Sequence, residues 1–305
     1  MEADKRDKTF CDWGIEDMIQ DITPHVFHNE YRKDAKCRET DYIVLYQDGK
    51  FLVSTDDSAG WIVLPTAADF GDALPAQLIY LFEVDGQAFF APLSTDSVNT
   101  SFLTGRHFVF SSLRDVRSAG FEPKTVVFAL FTAYHLLEWY RSTRYCGACG
   151  GRMTPDDTER AMYCPACRRK VYPRINPAVI IGVINGDRLL LTRYRNGMMN
   201  ALVAGFTEIG ETFEETVARE VMEETGLRVR HIRYYKSQPW GIAADILAGY
   251  YCEVDGDDTI RMDDTELRYA EWVPRAMIEL QPQPYSLTNE MMEQFKLGRI
   301  RAVEE

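Results

Sequence analysis

The stretch from Gly205 to Leu227 reads GFTEIGETFEETVAREVMEETGL and crowds many carboxylates into a short segment. Thr212 followed by Glu215 has the spacing of a capping box, which predicts a helix that begins at about Phe213. Gly226 stands where a residue in the left-handed conformation commonly ends a helix. The stretch therefore predicts one short helix, preceded by a loop that is rich in glycine and glutamate.

Three glutamates share one sector of the predicted helix. At about 100° per residue, Glu220, Glu223 and Glu224 lie together at the rim of the apolar stripe. Like charges at this spacing cost roughly 0.2–0.5 kcal/mol per pair, and the C-terminal half of a helix disfavours anions. A bound cation would remove both penalties. The alternative is a solvated glutamate-rich helix, an interpretation that fits Glu214 and Glu215 near its beginning.

The wider pattern favours the cation. The segment fits G-x5-E-x7-R-E-U-x-E-E-x-G-U, where U is apolar. The defined positions are filled by Gly205, Glu211, Arg219, Glu220, Val221, Glu223, Glu224, Gly226 and Leu227. With average residue usage, the seven invariant letters coincide on the order of once in 10⁸ starting points. The segment resembles the Nudix box at every defined position.

The composition narrows the class of protein. At 305 residues, of which 46% are hydrophobic, the chain is long enough for two globular domains and a small third module. The net charge of −13 argues against a general electrostatic grip on nucleic acid or on an acidic membrane. No apolar run reaches the roughly 18 residues of a membrane span, and the charged start MEADKRDKTF is not a signal peptide. We therefore expect a cytoplasmic protein with no membrane partner.

Four of the seven cysteines form two CxxC pairs. Cys146-x2-Cys149 and Cys164-x2-Cys167 have the spacing of a four-thiolate zinc site. The alternatives are four unrelated thiols or a redox pair, but no strand-to-helix context around either pair favours redox chemistry. The pattern therefore predicts a structural Zn²⁺ ion in a reducing compartment.

The remaining patterns divide the chain into four parts. We predict an N-terminal β-rich domain over 1–122, a bridging helix over 123–144, a zinc ribbon over 145–173 and a C-terminal domain over 174–305. Asp48-Gly49 and Asp85-Gly86 lie between apolar runs of the first domain and predict hairpins. In the last domain, alternating strands and helices predict an α/β/α sandwich around a mixed sheet. The predicted fold class is α+β.

Several segments beyond the box resemble the NADH pyrophosphatase branch of the Nudix hydrolases. The resemblance covers about 138–272 and includes both CxxC pairs, VYPRINP, RYRNG, ALVAGF and SQPW. It implies a homodimer that hydrolyses the diphosphate of NAD(H) to AMP and nicotinamide mononucleotide. Removal of NAD caps from RNA, or hydrolysis of ADP-ribose or another nucleoside diphosphate derivative, is the alternative with the same chemistry. A non-catalytic nucleotide-sensing or nucleic-acid-binding Nudix protein is the alternative of another class.

The resemblance also implies roles for individual residues. The oxygen ligands of a catalytic Mg²⁺ or Mn²⁺ would come from Ala204, Glu220, Glu224 and Glu266. Such hard donors suit both ions. Glu223 would be a further ligand or the base that activates water, so the predicted catalytic residues are Glu220, Glu223, Glu224 and Glu266. Structural support of the loop before the helix would come from Gly205 and from the ion pair of Glu211 with Arg219.

A base-binding surface is implied beside these acidic residues. Its predicted members are Tyr172, Phe206, Gln238, Pro239 and Trp240. Stacking of a base on an aromatic ring contributes roughly 1–3 kcal/mol, although ordinary packing is the alternative for each ring. The chain departs from the family after SQPW, where Gly241–Asp245 replaces P-F-P-x-S. The loss of two prolines and an aromatic ring predicts an altered base contact, and Asp245 is expected to repel a phosphate.

Overall fold

The computed structural model describes residues 18–56, 60–93, 98, 100, 103, 107–119, 122–195, 197–282 and 285–303. Residues 1–17 of the predicted N-terminal domain and Asn196 of the RYRNG loop lie outside the described residues. Helices and strands are mixed along the chain, so the α+β prediction is confirmed. None of the described helices combines the length and the apolar character needed to cross a membrane.

The N-terminal part consists of two small β-sheets and short helices. Its strands are β1 (Phe27–His28), β2 (Tyr42–Ile43), β3 (Tyr46–Gln47), β4 (Lys50–Asp56), β5 (Trp61–Val63), β6 (Leu78–Val84), β7 (Gln87–Pro92) and β8 (Phe108–Ser112). Its helices are α1 (Ala67–Phe70), a 3-10 turn (Gly71–Ala73) and α2 (Leu113–Ala119). One sheet has the order β1-β6-β7-β2, and in the other β4 pairs with β3, β5 and β8. The prediction of a β-rich N-terminal part is confirmed. The strands β1 and β8 and the helix α2 are too short for their apolar residues to show a clear periodicity.

Both predicted hairpin turns are present. φ is 49° at Asp48 and 79° at Gly49, and it is 50° at Asp85 and 78° at Gly86. Two consecutive residues with positive φ form the tight turn whose twist matches that of the flanking strands. β3 therefore pairs with β4, and β6 with β7, directly across these turns.

A long helix, α3 (Lys124–Ser142), follows the N-terminal part and lies within the predicted span 123–144. Its apolar side chains are buried on more than one side, so they exceed the single stripe of a surface helix. They pack in one cluster with Phe82 of the N-terminal sheet and with Met153 and Met162 of the zinc ribbon. The helix is therefore the shared core of these two parts.

The zinc ribbon is a small antiparallel sheet. Its strands are β9 (Thr154–Pro155), β10 (Met162–Tyr163) and β11 (Lys170–Val171), with β10 in the middle. The first CxxC pair precedes β9, and the second lies between β10 and β11. This arrangement brings the two pairs to the same end of the ribbon.

The C-terminal part is a six-stranded mixed sheet. Its strands are β12 (Asn176–Asn185), β13 (Arg188–Tyr194), β14 (Val203–Phe206), β15 (Val229–Trp240), β16 (Asp245–Val254) and β17 (Leu267–Pro274). The order is β15-β16-β12-β13-β17, and β14 pairs with the first half of β12. β12 and β16 are parallel, whereas the other pairs are antiparallel. A 3-10 turn (Arg275–Met277) follows β17.

One helix covers each face of this sheet. α4 (Phe213–Thr225) buries Val217 and Val221 against β12 residues such as Val179. α5 (Leu287–Lys296) buries Met291 on the opposite face, against Ile180. Neighbouring β12 residues thus point to opposite cores, which explains why its sequence is apolar throughout rather than alternating. The predicted α/β/α sandwich is confirmed.

Candidate active site and zinc centre

Helix α4 begins and ends where the sequence predicts. Thr212 Oγ1 accepts a hydrogen bond from the Glu215 N–H at 3.2 Å, and the Thr212 N–H donates to Glu215 Oε2 at 2.8 Å. This reciprocal capping box satisfies two N–H groups at the start of the helix. Gly226 follows the helix with φ of 70°, in the left-handed region that favours glycine. The glutamates between these caps are therefore held on a rigid element.

Gly205 allows the backbone of β14 to approach the carboxylate of Glu220. A β-carbon built on Gly205 would lie 1.9 Å from Glu220 Cδ and 2.0 Å from its Oε1. Only glycine leaves room for this approach. The Glu220 side chain is 13% exposed, and burial raises its pKa. The Glu220 carboxylate thus lies against the strand that carries the Ala204 carbonyl.

Arg219 connects the loop before α4 with the carboxylates on the helix. Its Nε lies 2.6 Å from Glu211 Oε1, and its Nη2 donates to the Phe206 carbonyl at 3.0 Å. Its Nη1 lies 2.8 Å from Glu220 Oε1 and 2.9 Å from Glu223 Oε2. The Arg219 guanidinium lowers the pKa of Glu211 to about 2. Arg219 therefore fixes the loop against the helix.

The expectation that Glu220, Glu223 and Glu224 all lie at the rim of the core holds for Glu220 and is wrong for the other two. The Glu223 side chain is 59% exposed, because its position on α4 faces solvent and Arg219 holds it there. Glu224, in contrast, is 2% exposed. The three carboxylates thus have three different environments: Glu224 is deeply buried, Glu220 lies at the boundary and Glu223 is open to solvent.

Glu224 is a buried carboxylate with an unsatisfied oxygen. Its Oε1 accepts a hydrogen bond from the Tyr194 hydroxyl at 3.1 Å, while its Oε2 has no hydrogen-bond partner in the described part of the chain. Burial raises the pKa of Glu224 to about 8. An ionised carboxylate in this position is costly unless a positive charge lies nearby.

Tyr194, at the end of β13, is a site residue that we did not predict. Its hydroxyl accepts a hydrogen bond from the Ala204 N–H at 3.1 Å and lies 3.3 Å from the Ala204 carbonyl oxygen. One hydroxyl therefore joins Glu224 to the backbone of Ala204. Tyr194 belongs to the segment RYRNG, but no residue spacing marks it as part of the acidic site.

Glu266 approaches the other carboxylates from the loop before β17. The Asp263 N–H donates to the Glu224 carbonyl at 2.9 Å, which ties this loop to the C-terminal end of α4. Burial is the main cause of the raised pKa of Glu224, and the charges of Glu220 and Glu266 also contribute. The three carboxylates are therefore close enough to repel one another.

The site offers oxygen donors of the kind that a hard divalent cation binds, although among the described residues only the four cysteines bring three or more ligand atoms within 4.8 Å of one another. It offers the carboxylates of Glu220 and Glu224, the carbonyl of Ala204 and the nearby carboxylate of Glu266, which are the oxygen donors that such ions prefer. The unpaired Glu224 Oε2 lacks the partner that a cation would supply. The donor set contains no sulfur or imidazole, so it differs in kind from the zinc centre.

The zinc centre lies in the ribbon. Cys146, Cys149, Cys164 and Cys167 bring their sulfur atoms within 4.8 Å of one another. Cys146 Sγ lies 3.5 Å from Cys167 Sγ, and Cys149 Sγ lies 3.5 Å from Cys164 Sγ, close to the separations of a tetrahedral four-thiolate site. The Ala148 and Cys149 N–H groups lower the pKa of Cys146 to about 6, which favours the thiolate form that binds metal.

The predicted base-binding residues fall into two groups. Phe206, which follows the Ala204 carbonyl on β14, is 52% exposed beside the acidic site. Tyr172, between the ribbon and β12, is 53% exposed. A hydrogen bond with Glu159 raises the pKa of Tyr172. Both rings are therefore open to a ligand.

The SQPW residues are placed differently. Gln238 is fully buried, where its Nε2 donates to the Tyr285 carbonyl at 2.8 Å and its Oε1 accepts from the Leu287 N–H at 2.8 Å. Trp240 packs on Phe131 of α3, with ring centroids 5.5 Å apart. Pro239 lines a cavity beside α3. Trp240 lies three strands away from Phe206 in the order of the sheet, so its role in base binding stays a prediction.

The departure after SQPW has a structural explanation. A β-carbon on Gly241 would lie 2.2 Å from the Phe131 carbonyl oxygen, so glycine lets the β15–β16 turn rest directly on α3. Asp245 begins β16 and is only 5% exposed. Burial raises its pKa. The expectation that Asp245 repels a phosphate is therefore corrected, because its side chain is enclosed.

The fold and the two sites together define the class. A glutamate-bearing box helix on an α/β/α sandwich, preceded by a four-cysteine ribbon, is the arrangement of a Nudix protein with a zinc ribbon. The NUDIX domain family matches residues 174–295, and the NADH pyrophosphatase zinc ribbon domain matches residues 141–172. The chain therefore contains a NUDIX domain, preceded by a zinc ribbon of the NADH pyrophosphatase type.

The curated relatives match this chain over only part of their own length. The NAD-capped RNA hydrolase NudC of Escherichia coli O157:H7 is 43% identical over 161 residues, which cover 52% of this chain and 62% of that protein. The NudC of Shigella flexneri has the same identity and coverage. The match thus spans less than two thirds of these relatives. A NUDIX hydrolase structure from Nitrosomonas europaea is 21% identical with a TM-score of 0.45, covering 52% of this chain and 92% of that one.

Proposed function

We propose that this protein is a Mg²⁺- or Mn²⁺-dependent hydrolase that cleaves the diphosphate of NAD(H) to AMP and nicotinamide mononucleotide. The observation that carries the proposal is the buried, unpaired Glu224 carboxylate beside Glu220, in a Nudix domain that follows an NADH pyrophosphatase-type ribbon. A bound cation would stabilise the ionised form of a carboxylate in such an environment, and a cation held there could bind an anionic diphosphate.

We assign the metal ligands to Glu220, Glu224, Glu266 and the carbonyl of Ala204. A divalent ion held by them would neutralise charge on the diphosphate and lower the pKa of the attacking water. Arg219 keeps the Glu220 carboxylate in place through its 2.8 Å contact. Tyr194 orients both groups, because its hydroxyl donates a hydrogen bond to Glu224 Oε1 and accepts one from the Ala204 N–H.

Glu223 is our candidate for the group that takes the proton from the attacking water. It is the exposed member of the three helical carboxylates, and the Arg219 contact at 2.9 Å restricts its movement. A general base must reach the water from an accessible position. A role as a further metal ligand fits the same position. The metal affinity and the rate of Glu223→Gln separate the two roles, because loss of a ligand weakens metal binding whereas loss of the base lowers the rate with metal bound.

The aromatic rings of Phe206 and Tyr172 are proposed to bind the bases. Both are about half exposed, so a flat ring can stack on them without displacing a core contact. The net charge of the chain is negative and repels the diphosphate. We therefore assign the binding of the diphosphate to the local metal site.

A second substrate is favoured by one specific observation. The relatives at 43% identity carry the name NAD-capped RNA hydrolase. We therefore propose removal of an NAD cap from RNA as the second candidate activity, by the same attack on the same diphosphate. We also propose, on the resemblance to the family, that the protein is cytoplasmic and forms a homodimer. Light scattering of the purified chain tests the dimer.

The decisive experiment compares rates with equal concentrations of NADH, NAD, ADP-ribose and NAD-capped RNA in Mn²⁺ or Mg²⁺. We expect AMP release from NAD(H), with loss of activity in Glu220→Gln and Glu224→Gln. Glu214→Gln is the matched control, since Glu214 is an exposed residue at the other end of α4. A tenfold preference for ADP-ribose would reject the proposed substrate, and full activity in both active-site variants would reject the proposed site.

A further inference from the structure

The cavity that Pro239 lines beside α3 lies at the meeting point of the N-terminal part, α3, the ribbon and the sandwich. Its volume is about 350 Å³. The walls are mainly apolar and aromatic, and they include Phe27, Phe128, Phe131, Pro173 and Ile175. Ile175 is 59% exposed, which places it at the mouth. None of the predicted metal ligands lines this cavity. Its size is at the lower end of small-molecule pockets, enough for one or two rings but not for a dinucleotide.

Arg160 gives this apolar cavity a positive wall. It lies on the ribbon loop between β9 and β10 and lines the cavity together with Asn29. Its Nη2 donates to the Asn29 carbonyl at 3.1 Å. Its Nη1 is buried and has no hydrogen-bond partner within the described residues.

The charge of Arg160 is not neutralised by the protein. No carboxylate forms an ion pair with it in the part of the chain that the structure describes, and its guanidinium carbon lies 5.7 Å from the centre of the Tyr31 ring. Burial lowers the pKa of Arg160, as expected for a cation without a counter-charge. A buried guanidinium that lacks both an anion and one hydrogen bond is a site that an anionic ligand would stabilise.

The remaining polar groups around the cavity are already engaged. His135 Nε2 lies 2.6 Å from the Arg174 carbonyl, and Thr132 Oγ1 donates to the Phe128 carbonyl at 3.0 Å. Asp245, whose charge interacts with that of His135, is 5% exposed and does not line the cavity. Arg160 is therefore the lining residue whose charge is available to a ligand.

We propose that this cavity binds a small aromatic anion, one or two rings that bear a carboxylate, sulfonate or phosphate, at a site separate from the acidic site on α4. The rings pack among the phenylalanines, and the anionic group faces Arg160. A mononucleotide and an aromatic carboxylate share this chemistry. The cavity is lined by the N-terminal part, α3, the ribbon and the sandwich, so an occupant would hold these four parts together.

The test uses the full-length protein with its zinc and two fluorescent probes. Anilinonaphthalene sulfonate is an aromatic anion, and N-phenyl-1-naphthylamine is its neutral analogue. Arg160→Met should weaken the sulfonate by roughly tenfold or more and leave the neutral probe nearly unchanged. Arg152→Met, at an exposed ribbon arginine, is the matched control and should change neither probe.

A second variant tests the cavity itself. Thr132→Phe fills the space while keeping the Arg160 charge, and it should abolish the binding of both probes; it decides the question if Arg160→Met does not fold. AMP and 1-naphthoate, added as competitors, distinguish the two ligand sources. Sulfonate binding that is unaltered in both variants would overturn the proposal. Displacement by NADH near its KM would also overturn it, since the cavity would then belong to the dinucleotide site.

Discussion

Gly205 and Glu220 lie so close together that a single methyl group on Gly205 would overlap the Glu220 carboxylate, with 1.9 Å between the new β-carbon and Cδ. The carboxylate has no free direction in which to retreat, because Arg219 Nη1 holds its Oε1 at 2.8 Å. The position of Glu220 is therefore set from two sides, by a strand backbone and by a guanidinium.

The first prediction concerns this contact. Gly205→Ala should displace the Glu220 carboxylate and lower kcat/KM on the order of a hundredfold, since a displacement of about 1 Å at a reacting centre has effects of that size. Mn²⁺ affinity, measured by electron paramagnetic resonance, should fall as well. Gly147→Ala is the control, because no atom lies within 4 Å of its added β-carbon. Wild-type metal affinity in Gly205→Ala would contradict the assignment of Glu220 as a ligand.

The second prediction concerns Tyr194. Tyr194→Phe removes the hydroxyl that bonds Glu224 at 3.1 Å and accepts from the Ala204 N–H at 3.1 Å. Groups that orient metal ligands typically change metal affinity by about 10- to 100-fold, and we expect a loss in this range for Mn²⁺. A saturating Mn²⁺ concentration should restore most of the rate. Tyr234→Phe, at an exposed tyrosine, should have no effect. An unchanged Mn²⁺ affinity in Tyr194→Phe would remove its orienting role.

Local sequence is sufficient for the box helix but not for the whole site. Thr212, Glu215 and Gly226 fix the two ends of α4 by contacts within a few residues, so spacing alone predicts its bounds. Tyr194 reaches Glu224 only because β13 and β14 lie in the same sheet, and that contact has no local pattern. The depth of Glu224 and the exposure of Glu223 likewise depend on the loops packed around the helix.

The SQPW segment illustrates the opposite case. Its resemblance to a family motif predicts a base-binding surface, which stays a prediction. In the fold, Gln238 bonds the backbone at the start of α5 and Trp240 packs on Phe131. Side chains alternate in direction along a strand, so the motif itself does not state which core each residue meets. Which core each of these residues meets depends on how α3 packs against the sandwich. That packing joins parts of the chain that are distant in sequence, so a local motif does not encode it.

The third prediction concerns zinc. Cys146→Ser should lower the free energy of unfolding by several kcal/mol, or the Tm by roughly 10 °C, because the metal provides much of the stability of a small ribbon. The loss should reach α3, since Cys146 and Cys164 belong to the same buried cluster as that helix. Mn²⁺ affinity at the acidic site should remain. Cys37→Ser is the control for the substitution, as Cys37 is distant in sequence from both CxxC pairs.

A result that contradicts the structural role is equally clear. If Cys146→Ser kept its Tm while it lost NADH hydrolysis, the ribbon would have a direct part in catalysis. Zinc content, measured by a colorimetric chelator, accompanies both measurements, so that loss of the ion and loss of the fold are distinguished.

The fourth prediction concerns pH and follows from Glu224. Its pKa is about 8 in the folded protein against an ordinary value of 4.5, so the folded state binds this proton more tightly than the unfolded chain does. Between these values, rising pH favours the unfolded state, by at most about 1.4 kcal/mol per pH unit. With Mg²⁺ and Mn²⁺ removed and zinc retained, urea unfolding from pH 6 to 8 should show wild type losing stability relative to Glu224→Gln, which cannot ionise. Added Mn²⁺ should reverse the loss in wild type alone, because the ion replaces the proton at the carboxylate. Parallel stability curves for the two proteins would mean that Glu224 is already neutralised by the chain, and the case for a cation beside it would fail.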